Sequence, residues 1–225
     1  MQKYKLDFIE LMIDCGVLAF GDFTLKSGRR SPYFINTGKY STGSQLSKLG
    51  GFYADCIVSS IGEEQILNAD NRPLLFGPAY KGIPLTVAVS CSLYQKYNAD
   101  LRYCFNRKEV KDHGEGGVFI GSEPVDGDDV IIIEDVITAG TAVRETVPLL
   151  RSAAVVNIPY MIISVDRQER TQTGMTASDE IRREFGIEVF PIVTVREIRE
   201  YIDGRFKNEL LQYMDDYINE FCSDI

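Results

Sequence analysis

Three features of this 225-residue sequence predict an α/β fold on a mainly parallel, twisted sheet flanked by helices. Short apolar runs alternate with helical patterns from Leu74 to Val193, as they do where parallel strands are joined by right-handed crossovers. The run 130–133 is apolar at every position, as a strand covered on both faces must be. Glu134, Asp135 and a Thr/Gly-rich turn follow at once, so polar chemistry sits at the carboxyl end of a buried strand, where open α/β sheets bind ligands.

The elements follow in order. Leu6, Ile9 and Ile13 recur at helical spacing before Gly16, a natural stop, so the chain opens with an amphipathic helix. Residues 20–36 mix aromatic and Thr residues around a Ser-Gly-Arg-Arg-Ser-Pro turn and read as a hairpin-like excursion outside the main sheet. Ser44 can cap a second helix, with Leu46, Leu49, Tyr53, Ile57 and Ile61 on one face and Gly62 at its end. A strand at 74–76, a helix after Pro84, strands at 101–105 and 130–133, a helix after Thr141 and a strand at 158–165 continue the alternation. Pro148 removes a hydrogen bond within the helix after Thr141, so that helix is expected to be kinked or short. A helix at 178–185 stops at Gly186, a strand covers 189–193, and Leu210, Met214, Tyr217 and Phe221 mark the face of a last helix. One domain over residues 1–225 is expected, its N-terminal excursion and C-terminal strand forming a small cap over the sheet.

Composition narrows the function classes. A chain of this length can bury roughly 70 to 75% of its unfolded surface and needs no staples. Its five cysteines contain no CxxC pair, which argues against a disulfide framework or a structural zinc site and for buried reduced thiols. With 24 basic and 33 acidic residues the net charge is −9, which disfavours broad binding to nucleic acid or anionic membrane. Asp7, Glu10 and Asp14 interrupt the first apolar pattern, and no run reaches membrane-spanning length, so a cytoplasmic protein is expected.

The chemistry concentrates in a few strings. After the acids, Thr138, Ala139, Gly140 and Thr141 can wrap backbone N–H groups and hydroxyls around a phosphate at a helix N-terminus, while Glu134 and Asp135 accept hydrogen bonds from ribose hydroxyls. Residues 106–117 pack Arg107, Lys108, Lys111 and the only histidine, His113, ahead of Gly114, Gly116 and Gly117. A solvated charged loop is the simpler account on composition alone. Beside a phosphate nest, the same loop can close over a diphosphate, exclude water and reopen. Lys26 lies beside a glycine turn, Phe34 can lie against a planar base, and Lys81 stands in a tight turn after a strand. Arg167, at the end of a strand, has the shape to grip a carboxylate through two parallel hydrogen bonds, although a surface ion pair with Asp166 or Glu169 would explain it equally well. Neither GxxxxGK[ST] nor GxGxxG at a strand-to-helix turn occurs.

The string VIIIEDVITAGTA resembles the signature of the type I phosphoribosyltransferases. Together, FTLKSGR, SPYF, GPAYKGIP, RKEVKDHGEGG, EDVITAG and DRQER resemble the orotate phosphoribosyltransferases over almost the whole length, the last 25 or so residues adding little. The resemblance implies a type I phosphoribosyltransferase fold with a cap, or hood. It implies Mg²⁺-dependent transfer of 5-phosphoribose from 5-phosphoribosyl 1-diphosphate to N1 of orotate, giving orotidine 5′-monophosphate and diphosphate in pyrimidine (UMP) synthesis. It implies that Glu134, Asp135, Val136, Ile137, Thr138, Ala139, Gly140, Thr141 and Ala142 bind the ribose phosphate, and that Lys26, Tyr80 and Lys81 contact phosphates. Arg107, Lys108, Lys111 and His113 would form the mobile catalytic loop, with His113 a candidate proton donor; Phe34, Ile35, Thr138 and Arg167 would hold orotate. It further implies a homodimer whose loop reaches into the neighbouring active site, and Mg²⁺ carried mainly by the donor's diphosphate and ribose, with no protein ligand assigned. Two positions depart from the family pattern: Ile35 where a second aromatic residue is common, and Glu134 where an aspartate is common. A purine phosphoribosyltransferase would share the EDVITAGT string, and a regulator sensing the same donor while binding nucleic acid could share the fold.

Overall fold

The computed structural model describes residues 1–25, 28–67, 73–111, 117–137 and 140–223, with the backbone alone described at 109–111. Its frame is a six-stranded sheet in the order β5-β4-β3-β6-β7-β8. The strands are β3 (Leu74–Gly77), β4 (Tyr103–Lys111), β5 (Gly117–Gly121), β6 (Asp129–Ile133), β7 (Asn157–Asp166) and β8 (Glu188–Thr194). All neighbours pair in parallel except β4 and β5, which form an antiparallel edge.

Alternation along the central strands divides the core in two. Leu75, Ile131, Ile133 and Ile162 face one cluster, which is completed by α1 (Lys3–Asp14), α2 (Gly43–Ile61), α4 (Gly82–Tyr97), α7 (Val195–Ile202) and α8 (Asn208–Phe221). Leu74, Phe76, Val130, Ile132, Met161 and Ile163 face the other, with α5 (Thr141–Ala153) and α6 (Ala177–Phe185). Residues 130–133 are therefore buried from both sides, which is why their sequence is continuously apolar rather than alternating.

Several expectations are adjusted. The cap of α2 is Thr42, in a reciprocal box with Gln45, two residues before Ser44. The helix α5 runs through Pro148 to Ala153, held by Val143, Val147 and Leu150 buried along one face, so the missing N–H does not end it. A short α3 (Glu63–Leu67) and α7, which opens on a Thr194–Glu197 capping box, were not read from the periodicity.

The larger correction concerns residues 106–117. Arg107, Lys108 and the backbone of Lys111 belong to β4, which pairs with β5 as far as Lys111↔Gly117. The two ends of this charged stretch thus have sheet partners, Asn106 with Phe119 and Lys111 with Gly117, across an irregular register, and charge alone gives no sign of it. The rest of the expected loop, residues 112–116 with His113, lies outside the described residues.

The N-terminal excursion is a separate antiparallel pair, β1 (Leu18–Thr24) and β2 (Arg30–Ile35). The C-terminal strand expected to share the cap is instead β8, the parallel edge of the main sheet. The hairpin's partner is the end of the chain. Tyr33 meets Tyr217 of α8 edge-on at 5.7 Å, and Phe20 packs on Phe206 at 5.0 Å. No helix among the described residues is long and apolar enough to cross a membrane. The cysteines are all free, with Cys56, Cys104 and Cys222 buried, Cys15 half-buried and Cys91 exposed.

Candidate active site

The strand β6 ends by presenting two acids whose backbone is fixed before their side chains do anything. The Glu134 N–H donates to the Ile162 carbonyl at 3.0 Å, and its own carbonyl accepts the Tyr53 hydroxyl at 2.7 Å. The Asp135 carbonyl accepts both the N–H of Ser164 at 2.9 Å and its hydroxyl at 2.6 Å. Anchors from β7 and α2 therefore hold the acids on a rigid rim.

The Asp135 carboxylate is the centre of a small polar cluster. Its Oδ2 accepts from Lys81 Nζ at 2.7 Å and from Thr37 Oγ1 at 2.6 Å, while Oδ1 accepts from the Val136 N–H at 2.8 Å. Lys81 also reaches Thr37 Oγ1 at 3.0 Å. Burial opposes ionisation of Asp135, but hydrogen bonds from the Lys81 ammonium and the Thr37 hydroxyl outweigh it, so its carboxyl titrates below the usual range. Glu134 differs. Only 8% exposed, with Oε1 accepting the Asp135 N–H, it is pushed up to about 8, first by burial, with the adjacent Asp135 charge adding to the rise. One acid is thus held ionised and its neighbour protonated near neutral pH.

Lys81 reaches Asp135 because the turn between β3 and α4 is very tight. A Cβ on Gly82 would lie 2.8 Å from the Gly77 carbonyl carbon, and one on Gly77 would collide with the Gly82 carbonyl and Thr86. Asn106 of β4 steadies the turn by accepting the Ala79 N–H at 2.9 Å. The Tyr80 ring, 66% exposed, has Lys108 Nζ above it at 5.3 Å.

Two depressions flank this turn. One, of about 200 Å³, is lined by Thr37, Tyr40, Leu49, Tyr53, Lys81 and Asp135. The other, of about 540 Å³, is lined by Ala79, Arg107, Lys108, Ala142 and Glu145. It joins the β4 cations to the start of α5, whose first-turn N–H groups favour an anion. Gly140 caps that helix with φ +68°, a left-handed conformation that favours glycine. Val136 bridges to Val165, Ile137 is half-buried, and Thr141 and Ala142 are exposed at the helix start. Thr138 and Ala139 lie outside the described residues, as do Lys26 and the side chain of Lys111.

A second cluster lies under the hairpin. Arg167 donates from Nε to Glu169 at 2.7 Å and from Nη2 to the Tyr217 hydroxyl at 3.2 Å, and its guanidinium lies 5.0 Å from the centre of the Tyr33 ring. The ion pair with Glu169 considered from sequence is therefore present, though partly buried rather than on the surface. Phe34 is 39% exposed and stacks on Phe23 at 5.6 Å, whereas Ile35, next along the strand, packs toward the core.

The structure thus joins Lys81 to Asp135 and gathers Arg107 and Lys108 beside the start of α5, while Arg167 forms a separate group. Thr37, Tyr53 and Ser164 were missed, because an uncharged hydroxyl in an unremarkable sequence context carries no signal of its own. Among the described residues no group of three or more His, Cys, Asp or Glu side chains could hold a metal ion.

Comparison with known proteins places the chain and its fold in one family. The profile of the Phosphoribosyl transferase domain family matches residues 57–188. An orotate phosphoribosyltransferase of Clostridium beijerinckii is 51% identical, covering 96% of this chain and 93% of its own, and one of Lachnoclostridium phytofermentans is 49% identical, covering 98% of each. The crystal structure of the Francisella tularensis orotate phosphoribosyltransferase superposes with a TM-score of 0.84 at 38% identity, covering 96% of this chain and 100% of that one.

Proposed function

This chain belongs to the orotate phosphoribosyltransferase family, and we propose on that premise how its residues carry out phosphoribosyl transfer. The reaction moves 5-phosphoribose from 5-phosphoribosyl 1-diphosphate to N1 of orotate, giving orotidine 5′-monophosphate and diphosphate for pyrimidine synthesis. The bond from C1 to the diphosphate oxygen breaks with its electron pair on that oxygen, the bond from C1 to N1 forms, and the N1–H bond breaks, its proton balancing the new charge on the departing diphosphate. Two demands follow: the leaving diphosphate needs positive charge, and the ribose must be held while its ring becomes electron-poor.

The observation that carries the assignment of roles is the Asp135–Lys81–Thr37 cluster at the carboxyl end of β6. Ionised Asp135 accepts a ribose hydroxyl hydrogen, and protonated Glu134 can donate as well as accept there. Val136 to Ala142 bind the 5′-phosphate with backbone N–H groups and the Thr138 and Thr141 hydroxyls. Lys81, released from Asp135 when the donor arrives, turns its ammonium to phosphate, and Lys26 and Tyr80 contact the same donor. Arg107, Lys108, Lys111 and His113 supply cations to the departing diphosphate. Phe34 lies against the orotate ring, Ile35 contributes through the backbone beside it, and Arg167 pairs with the substrate carboxylate.

Magnesium, carried by the donor's own oxygens rather than by a protein cage, neutralises diphosphate charge when bound. We further assign a cytoplasmic homodimer in which the cationic stretch that carries Lys111 and His113 in one chain serves the site of the other. The test is loss of orotate absorbance with donor and Mg²⁺, run beside purine bases. Consumption of a purine and not of orotate would overturn the reading, and donor binding without turnover of any base would favour a sensor.

A further inference from the structure

The C-terminal helix α8 places a tyrosine hydroxyl against Arg167 and Glu169. Arg167, Glu169 and Tyr217 close a triangle: Arg167 donates to both of the others, and the Tyr217 hydroxyl donates to Glu169 Oε1 at 2.6 Å. Both hydrogen-bonding directions of that hydroxyl are thereby used. Tyr33 covers one face of the guanidinium, and Tyr217 in turn meets Tyr33 edge-on. The edge and one face of the fork are fixed by groups from β2, the segment after β7, and α8. Among the described residues Nη1 makes no hydrogen bond, so the side of the fork bearing it is available for two parallel bonds to a carboxylate.

Charge points the same way. Glu169 Oε2 also accepts from Arg29 Nη1 at 2.9 Å, and Arg29 lies over the Phe221 ring at 4.3 Å. One carboxylate therefore faces two guanidiniums, leaving one positive charge beneath the hairpin that an incoming carboxylate balances. Tyr217 is itself buried and packed against Phe221 at 5.1 Å, so its hydroxyl has little freedom to leave the triangle.

We propose that Tyr217 is a positioning residue for orotate, aiming the Arg167 fork at the substrate carboxylate in concert with Glu169. This rests on the reading of orotate as substrate. Tyr217→Phe keeps the ring and removes only the hydroxyl, so the packing of α8 on the hairpin stays in place. The lost hydrogen bond acts on the substrate only through the aim of Arg167, so an effect the size of an ordinary net hydrogen bond, a rise in KM for orotate of about three- to tenfold, is expected. The KM for the donor should be unchanged. Inhibition by uracil, which has the same ring without the carboxylate, should also be unchanged, whereas a merely structural role would weaken both pyrimidines together. In an Arg167→Ala background the Tyr217→Phe change should add nothing to the orotate KM. Wild-type activity is measured first: failure to consume orotate would remove the substrate assignment and this inference with it. With wild-type activity present, an unchanged orotate KM, equal weakening of uracil and orotate, or an undiminished effect in the Arg167→Ala background would overturn the role of Tyr217 alone.

Discussion

Replacing Gly82 by alanine tests whether the geometry of the β3–α4 turn sets the position of Lys81. An added Cβ would sit 2.8 Å from the Gly77 carbonyl carbon, 2.9 Å from Pro78 Cδ and 3.0 Å from Gly77 Cα. Ordinary carbon contacts begin near about 3.5 Å, so the turn must open by roughly half an ångström or more. Two of the three obstructing atoms are backbone, and no side-chain rotation can relieve them. Overpacking of this kind destabilises by about 1–3 kcal/mol, or roughly 2–12 °C in Tm for a chain of this size. The same opening shifts Lys81, the next residue, relative to Asp135, and misplacement on the order of 1 Å reduces catalysis by about 10²-fold. We therefore expect kcat/KM for the donor to fall by about ten- to a hundredfold. Gly51→Ala is the control. It lies inside α2, where an added Cβ would come no closer than 3.9 Å to Lys96 Nζ, and should raise stability by about 0.5–1 kcal/mol. Melting curves and steady-state kinetics on both variants decide the matter. A Gly82→Ala protein with wild-type Tm and donor kinetics would show that close packing of this turn does not set the lysine's position.

Glu134 should be a pH-dependent liability to stability. Burial raises its carboxyl from 4.5 to about 8, so its favourable contribution is complete below the lower value and is lost as pH rises through the higher one. Glu134→Gln should accordingly gain Tm relative to wild type as pH climbs between those values; a pH-independent difference would contradict the protonated assignment. Arg167→Ala removes charge-assisted bonds worth about 1.5–3 kcal/mol, predicting a roughly 10- to 150-fold weaker orotate interaction with donor affinity by calorimetry intact. Equal losses for both substrates would make it a support of the fold. If sites are shared between subunits, mixing inactive Lys111→Ala and Asp135→Asn chains should restore activity, since one site of each hybrid contains both wild-type parts. No recovery after verified subunit exchange would mean that each site is complete within one chain.

How much of this was legible beforehand depends on the range of the interaction. The strand at 130–133, the Gly62 and Gly186 helix ends and the β1–β2 excursion were readable, because burial on two faces, a left-handed stop and a turn each leave a mark within a few residues of sequence. That the acids after β6 and the lysine after β3 lie at the carboxyl ends of buried strands was readable for the same reason: each follows an apolar strand directly. Their contact was not. Thr37, Lys81 and Asp135 meet only because β3 pairs with β6 and the segment after β2 folds over the strand ends. Likewise β5 carries five residues of mixed, half-buried character, and its strand state depends on β4 lying alongside it. The last helix was legible as an amphipathic face, but nothing local to Tyr217 indicates that its hydroxyl will meet Arg167 and Glu169. Most elements, their order and the residues with chemistry to offer are local properties of the sequence, because periodicity and capping act over one or two turns of chain. Which hydroxyl completes which ion pair, which acid resists ionisation and where a charged stretch becomes a strand all follow from burial and pairing between segments distant along the chain.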